Sequence, residues 1–295
     1  MTFSASDAAF EGFRIVRRKP LSVVAWALAY IVFFAVGFAL VGKPALAILQ
    51  QVESLKGSSE PTMAELEPIF QGYGLVFGVI WPLSILLGTM LSTAVARAVV
   101  QPSASAFGYL RLGMDELRVF GAMVVLVILL GVYYGVSIGV CVGLGVYAHA
   151  SGQWWGWLLC VLAGIGAFLG LIWLAVRLSL MVPIIVAENR FALFDSFALT
   201  KGRFWPLLGM ALLAFIMMIV VSVIGAVISM PIRFTLMGPL GAVQNPADII
   251  PVLQQHLGWV IGWAVINSVI SALQMAVIYA PFAAAYRAIK GVPAE

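Results

Sequence analysis

Arg177, Glu188, Lys201, Gly202 and Arg203 are the residues whose types and spacing come closest to chemistry in this chain. Arg177 and Glu188 stand eleven positions apart, about three helical turns, so on one uninterrupted helix they would share a face and pair. Lys201 and Arg203 flank a glycine that permits a tight turn, and a turn offers backbone N–H groups to an anion. With Arg177, these two cations suit the phosphate of a lipid head group at a membrane surface. The structural reading of the same residues is a salt bridge, or the anchor of an amphipathic helix.

A second polar set is Asn267, Ser271 and Gln274, spaced i, i+4, i+7 in an apolar run. Amide side chains in hydrocarbon need partners, so this stripe is expected to point into a bundle, either binding helices together or lining a cavity wall. Ser222 and Ser229 are its candidate partners. Gly131, Gly135, Gly139 and Gly143 keep an unbroken four-residue spacing, and Gly166 and Gly170 follow in the next apolar run. Small residues at that interval let helices approach closely. The ladder is expected to pack against a helix of the same chain, or against a second copy in a homodimer.

Other chemistry finds little support. The two cysteines, Cys141 and Cys160, fall in apolar runs at similar inferred depth and read as packing residues. His149 and His256 are isolated from other metal-type ligands, and neither a nucleophile elbow, a phosphate-binding Gly-rich loop nor a His-Glu-x-x-His pattern occurs. No cofactor, no metal and no nucleic-acid partner is implied, because the basic residues are scattered at the ends of apolar runs and not gathered in one tract.

The elements that must carry these residues are six apolar stretches at about 20–41, 72–95, 119–148, 154–182, 205–230 and 257–286. Each exceeds the ~20 residues that cross a hydrocarbon core as a helix. With 63% hydrophobic and 9% charged residues the composition departs from that of soluble domains. Thirteen of the sixteen Lys and Arg residues fall on one side of the implied topology, leaving Lys43, Lys56 and Arg233 on the other. The positive-inside rule then expects both termini in the cytoplasm of a bacterial inner membrane. The first run is too long for a signal-peptide core and is expected to stay as an anchor.

The expected fold is all-α: six transmembrane helices arranged as three helical hairpins, each entered through a cytoplasmic amphipathic helix. The three entries are marked by Phe3, Phe10 and Phe13; by Phe107, Leu110, Met114 and Leu117; and by Phe191, Phe194 and Phe197. Each hairpin exits on an arginine: Arg97, Arg177 and Arg287. This suggests one membrane domain over 1–295 with repeats at 1–100, 101–188 and 189–295, the exit arginines snorkelling to head groups. On the other side, Thr62 and Glu65 have capping-box spacing, expected to start a short helix, and Asn245-Pro246 opens another. Pro82, Pro183, Pro231 and Pro281 are expected to kink or end helices.

The segment from Arg177 through Pro183, Glu188 and Leu199 to Gly202-Arg203-Phe204-Trp205 resembles the signature of a bacterial membrane-domain family, named for the membrane region of glycerophosphodiester phosphodiesterases. The close match covers about 30 residues. It implies a six-span inner-membrane fold. It does not imply catalysis, since in fused members the diesterase chemistry belongs to a separate soluble barrel whose His-Arg-Gly start is missing from this sequence. The functional expectation is a non-catalytic multi-pass protein. It would organise anionic lipid head groups or a membrane-protein partner at the cytoplasmic face. The alternative is a permease for a small amphiphile or lipid.

Overall fold

In the computed structural model, residues 4–55, 61–103, 106–243 and 245–291 are described. Phe3 and the Gly57-Ser58-Ser59 break lie outside them. The elements among the described residues are helical, and six are long and apolar enough to cross a membrane. The chain is a multi-pass membrane protein. Two short helices, α1 (Ala5–Ala9) and α2 (Glu11–Arg18), precede α3 (Pro20–Ser54) and α4 (Met63–Val100). Next come α5 (Met114–Ser151), α6 (Trp154–Leu178), α7 (Met181–Glu188) and α8 (Asp195–Thr200). The chain closes with α9 (Phe204–Gly241), α10 (Ile249–Gln255) and α11 (Leu257–Lys290).

Consecutive spans lie side by side: α3 on α4, α5 on α6, and α9 on α11. The last span is the centre of the assembly, touching α2, α3, α4 and α9. Large apolar side chains cover the outside of the spans, as lipid-facing surfaces require. The fold is tight at one end only, the end that carries Lys19, Arg97, Glu188 and Arg287. There every residue from Leu91 to Val99 of α4 is buried, and so is every residue from Met181 to Val186 of α7. Small residues make this possible. Ala94, Ala96 and Ala98 of α4 meet a core that includes Ala272, Ala276, Ala280 and Ala283 of α11. Away from this basic end few side chains are enclosed. In the fourth span only 6% of the most apolar stretch is buried, against 22% in the first and sixth.

Several boundaries differ from the sequence reading. Thr62 and Glu65 do form a capping box, with the Thr62 N–H 2.8 Å from a Glu65 carboxylate oxygen. The box starts the whole 38-residue α4, not a separate short helix. Helices run through Pro82, Pro231 and Pro281 without ending. Asn245 caps the turn at Pro246 as expected, accepting from the Ala247 N–H at 3.0 Å. The α5–α6 turn is tight, with Gly152 at φ +63°. There Cys160 reaches the Cys141 carbonyl at 3.4 Å, and both thiols are free.

The entry segments are not three copies of a surface helix. Gly12 on α2 lies so close to α11 that an added Cβ would sit 2.5 Å from the Val277 Cα, so this helix docks on a span. The second entry is not helical over Phe107 to Leu110. Phe107, Gly108 and Tyr109 take successive left-handed conformations, at φ of 53°, 64° and 65°. Such a conformation costs a non-glycine residue about 1–2 kcal/mol. The turn is held by its neighbours. The Trp26 indole donates to the Gly108 carbonyl at 2.8 Å, and the Tyr109 hydroxyl to the Pro102 carbonyl at 2.7 Å. Gly108 itself approaches α3, where a Cβ would meet Ala25 at 2.7 Å.

Candidate functional site

The site begins where α6 stops. Pro183 has no N–H to return to the Ser179 carbonyl four residues back, and here, unlike at Pro82, Pro231 and Pro281, the helix does break just ahead of the proline. The chain breaks at Ser179 and restarts as α7. Ser196 of α8 fastens the break. Its hydroxyl donates to the Arg177 carbonyl at 2.6 Å and accepts from the Leu180 N–H at 3.2 Å. The expected pairing of Arg177 with Glu188 is therefore corrected, because the break turns the two apart.

Glu188 is instead a hub at the basic end. It receives Lys290 at 3.1 Å, Arg190 at 2.7 Å and the Tyr286 hydroxyl at 3.2 Å. Arg190 also pairs with Asp195. The Glu188 contacts tie the end of α7 to the end of α11, across a sequence gap that no local pattern shows.

Arg177 turns to the other side of α6. Its guanidinium lies over the Trp173 ring, 5.5 Å from the centroid, and reaches the Phe197 carbonyl and the Thr200 hydroxyl, each at 3.4 Å. These are long bonds for a charged donor. Its Nε is buried with no hydrogen-bond partner. Thr200 leads directly into the exposed turn Lys201-Gly202-Arg203, with Gly202 at φ +75°. Arg203 donates to the Leu199 carbonyl at 3.2 Å. Arg177 is thus brought beside the Lys201–Arg203 turn, and Glu188 is left out. Exposed Phe194 and Trp205 flank the group.

The polar stripe of α11 works as internal glue in part. Gln274 donates to the Ser222 hydroxyl of α9 at 2.7 Å, as the sequence suggested. Asn267 donates to the Trp263 carbonyl of its own helix at 2.9 Å, and Ser271 is half-buried. Ser229 turns to its own helix, at the Ala226 carbonyl.

The glycine ladder does not pack within the chain. A Cβ added at Gly131, Gly135, Gly139, Gly143 or Gly166 would meet nothing within 4 Å. The expected intrachain contact is corrected for these five. The α5–α6 seam uses Gly170, over which the Tyr133 hydroxyl lies as it bonds the Ala167 carbonyl, and Gly156, whose Cβ would touch Ala148 at 2.8 Å. A bulky tyrosine at the crossing leaves the ladder on another face.

Sequence reasoning missed the strongest polar feature. Arg97, read as a snorkelling exit residue, is 2% exposed. It donates to the Tyr109 carbonyl at 2.8 Å and to Glu116 at 2.8 Å, with Asp115 at 3.4 Å. The second Glu116 oxygen accepts from the Gly113 N–H at 3.0 Å, capping α5. Lys19 joins the same group through the Tyr109 hydroxyl and the Ala98 carbonyl. The one available signal was the acidic pair Asp115-Glu116 at the start of a span, where helix-end charge preferences already explain it.

Compared with known proteins, the chain matches no family model, no curated protein and no solved structure.

Proposed function

We propose that this protein is a non-catalytic organiser of anionic lipid at the cytoplasmic face of a bacterial inner membrane. The basic end is the cytoplasmic end in this reading, and Arg177, Lys201 and Arg203 take a lipid phosphate. Membership of the diesterase membrane-domain family belongs to the same proposal, as does the arrangement of the six spans as three hairpins. The observation that carries it is Arg177, a cation with a buried unpartnered Nε beside an exposed basic turn. Its present partners are a ring, a carbonyl and a hydroxyl, with no carboxylate among them. A phosphate oxygen would complete its donors, and Trp205 and Phe194 would sit at head-group depth, where amphipathic rings are favoured.

The exit arginines lend support to the repeat. Arg97, Arg177 and Arg287 each donate to a backbone carbonyl of another segment, those of Tyr109, Phe197 and Val99. Arg97 has carboxylates as well, which makes it structural; Arg177 lacks them.

The test is lipid retention by protein purified in mild detergent, with bound lipids identified by mass spectrometry. Each basic residue near an anionic surface contributes about 1 kcal/mol. Replacing both Lys201 and Arg203 by Ala should therefore lower anionic-lipid retention by up to roughly thirtyfold, and Arg177→Gln should lower it further. Retention unchanged in all three substitutions would overturn the proposal.

A further inference from the structure

The α5–α6 pair packs on α4, α7, α8 and α9 but leaves a fissure between itself, α4 and α11. One cavity of about 330 Å³ lies between α4, α5, α6, α7 and α11, next to Ser92 and Ser179. A second of about 310 Å³ continues along α4 past Thr89 and Gly88 to Trp81. Met123 and Tyr279 line both, so the two cavities adjoin along α4. Their floor is a run of small residues, Ser84, Gly88, Ser92 and Ala96, at four-residue spacing on one face of α4. Gly88 has no atom within 4 Å of the place a Cβ would occupy, so this face is unfilled.

Two observations name an occupant. The first is depth. The groove lies within the membrane-spanning segments, so what fills it must be compatible with hydrocarbon. From Thr89 to Trp81, the span of α4 that lines the groove, the helical rise gives ~12 Å. One leaflet of a ~30 Å hydrocarbon core is ~15 Å deep. The second is Thr89 itself. It is 1% exposed, it lines the groove, and its Oγ1 has no hydrogen-bond partner. Ser92 spends its hydroxyl on the Thr89 carbonyl at 3.2 Å and Ser179 on the Val176 carbonyl at 2.8 Å. Of the two fully buried hydroxyls that line the groove, Thr89 and Ser92, Thr89 is the one left without a partner. A buried hydroxyl without a partner costs free energy that a ligand acceptor would recover.

We propose that this fissure binds one acyl chain of an ester-linked glycerolipid. Thr89 donates to the ester carbonyl, the tail runs along Gly88 and Ile85 towards Trp81, and the head lies towards Ser92 and Ser179. The site is on the opposite side of α6 from Trp173 and Arg177 and does not depend on the phosphate site proposed above.

The test uses the full chain in nanodiscs containing a phospholipid with a photoactivatable diazirine midway along one acyl chain. Labelled positions are mapped by peptide mass spectrometry. Labelling should concentrate on Trp81, Ile85 and Met123. Gly88→Phe should fill the groove and reduce it at least fivefold, whereas Gly139→Phe, on an open face elsewhere, should leave it unchanged. Thr89→Val keeps the side-chain shape, so folding is preserved. It should reduce labelling by the ester lipid about threefold and have no effect on an ether-linked analogue, which lacks the carbonyl. The Lys201→Ala, Arg203→Ala double variant should label normally. Labelling spread evenly over lipid-facing surfaces, or undiminished in Gly88→Phe, would mean annular contact alone and overturn the proposal. Equal loss for ester and ether lipids in Thr89→Val would overturn the role of the hydroxyl.

Discussion

The basic end and the opposite half of this molecule use the same six helices in different ways. At the basic end, small residues bring α4, α7 and α11 together until whole turns are buried, and the enclosed polar groups are paired: Arg97 with Glu116, Lys19 with Tyr109, and Ser196 with the broken end of α6. In the opposite half the helices keep bulky apolar side chains turned outward, and the glycines of the α5 ladder, Gly131 to Gly143 at four-residue spacing, meet nothing. In lipid there is no hydrophobic drive to bring spans together. Cohesion must come from close packing and polar pairing, and these are concentrated where chain turns and charges supply them. The candidate phosphate site and the acyl fissure both sit where the packed region gives way to open helices.

The comparison is most easily broken at Arg97. Arg97→Met leaves Glu116 buried without its cation and should destabilise the protein by about 3–5 kcal/mol. The loss would appear as a large fall in the thermal unfolding midpoint in detergent. The double variant Arg97→Met, Glu116→Leu should recover much of it. An unfolding midpoint no lower than that of Arg177→Met would contradict the division between a structural and an available arginine.

Glycine substitutions sharpen the same contrast. Gly12→Ala places a Cβ 2.5 Å from the backbone of α11 and should cost about 1–3 kcal/mol by forcing α2 off its seat. Gly139→Ala has open space and should be neutral or stabilising by up to ~1 kcal/mol, through helix propensity. Equal effects would mean that the two halves are packed alike.

The smallest expected effect is a pH response confined to the first two helices. The hydrogen bond from Arg14 holds the Asp7 carboxyl below its usual 3.8. A carboxyl lowered on folding contributes above its unfolded pKa, and the contribution fades as pH falls through the folded value. Amide protection factors in 5–18, taken relative to the intrinsic exchange rate at each pH, should therefore fall on acidification below about pH 4. Both groups are exposed, so the gain is slight. Asp7→Asn should remove the response.

Much of the fold was legible because lipid imposes simple rules. Six long apolar runs, their helical state and the Gln274–Ser222 contact all follow from satisfying backbone and amide groups in hydrocarbon. The fate of individual polar residues was not legible. Arg97, Arg177 and Arg287 occupy the same place in the pattern. One is sealed against a carboxylate, one lies on a tryptophan with a donor to spare, and one caps a neighbouring helix end. Nor did the evenly spaced glycines of α5 reveal which face would meet α6, since spacing marks a stripe and not its direction.

The sequence by itself therefore determined a helical chain threaded through a bilayer with its cations gathered at one end, because hydrophobic length and charge act locally. Tertiary structure alone decided which cation is buried, where α6 breaks, and where a fissure stays open. Each of these depends on partners up to about two hundred residues away, such as Arg287 on Val99, and on side-chain volumes that meet only once the helices have packed.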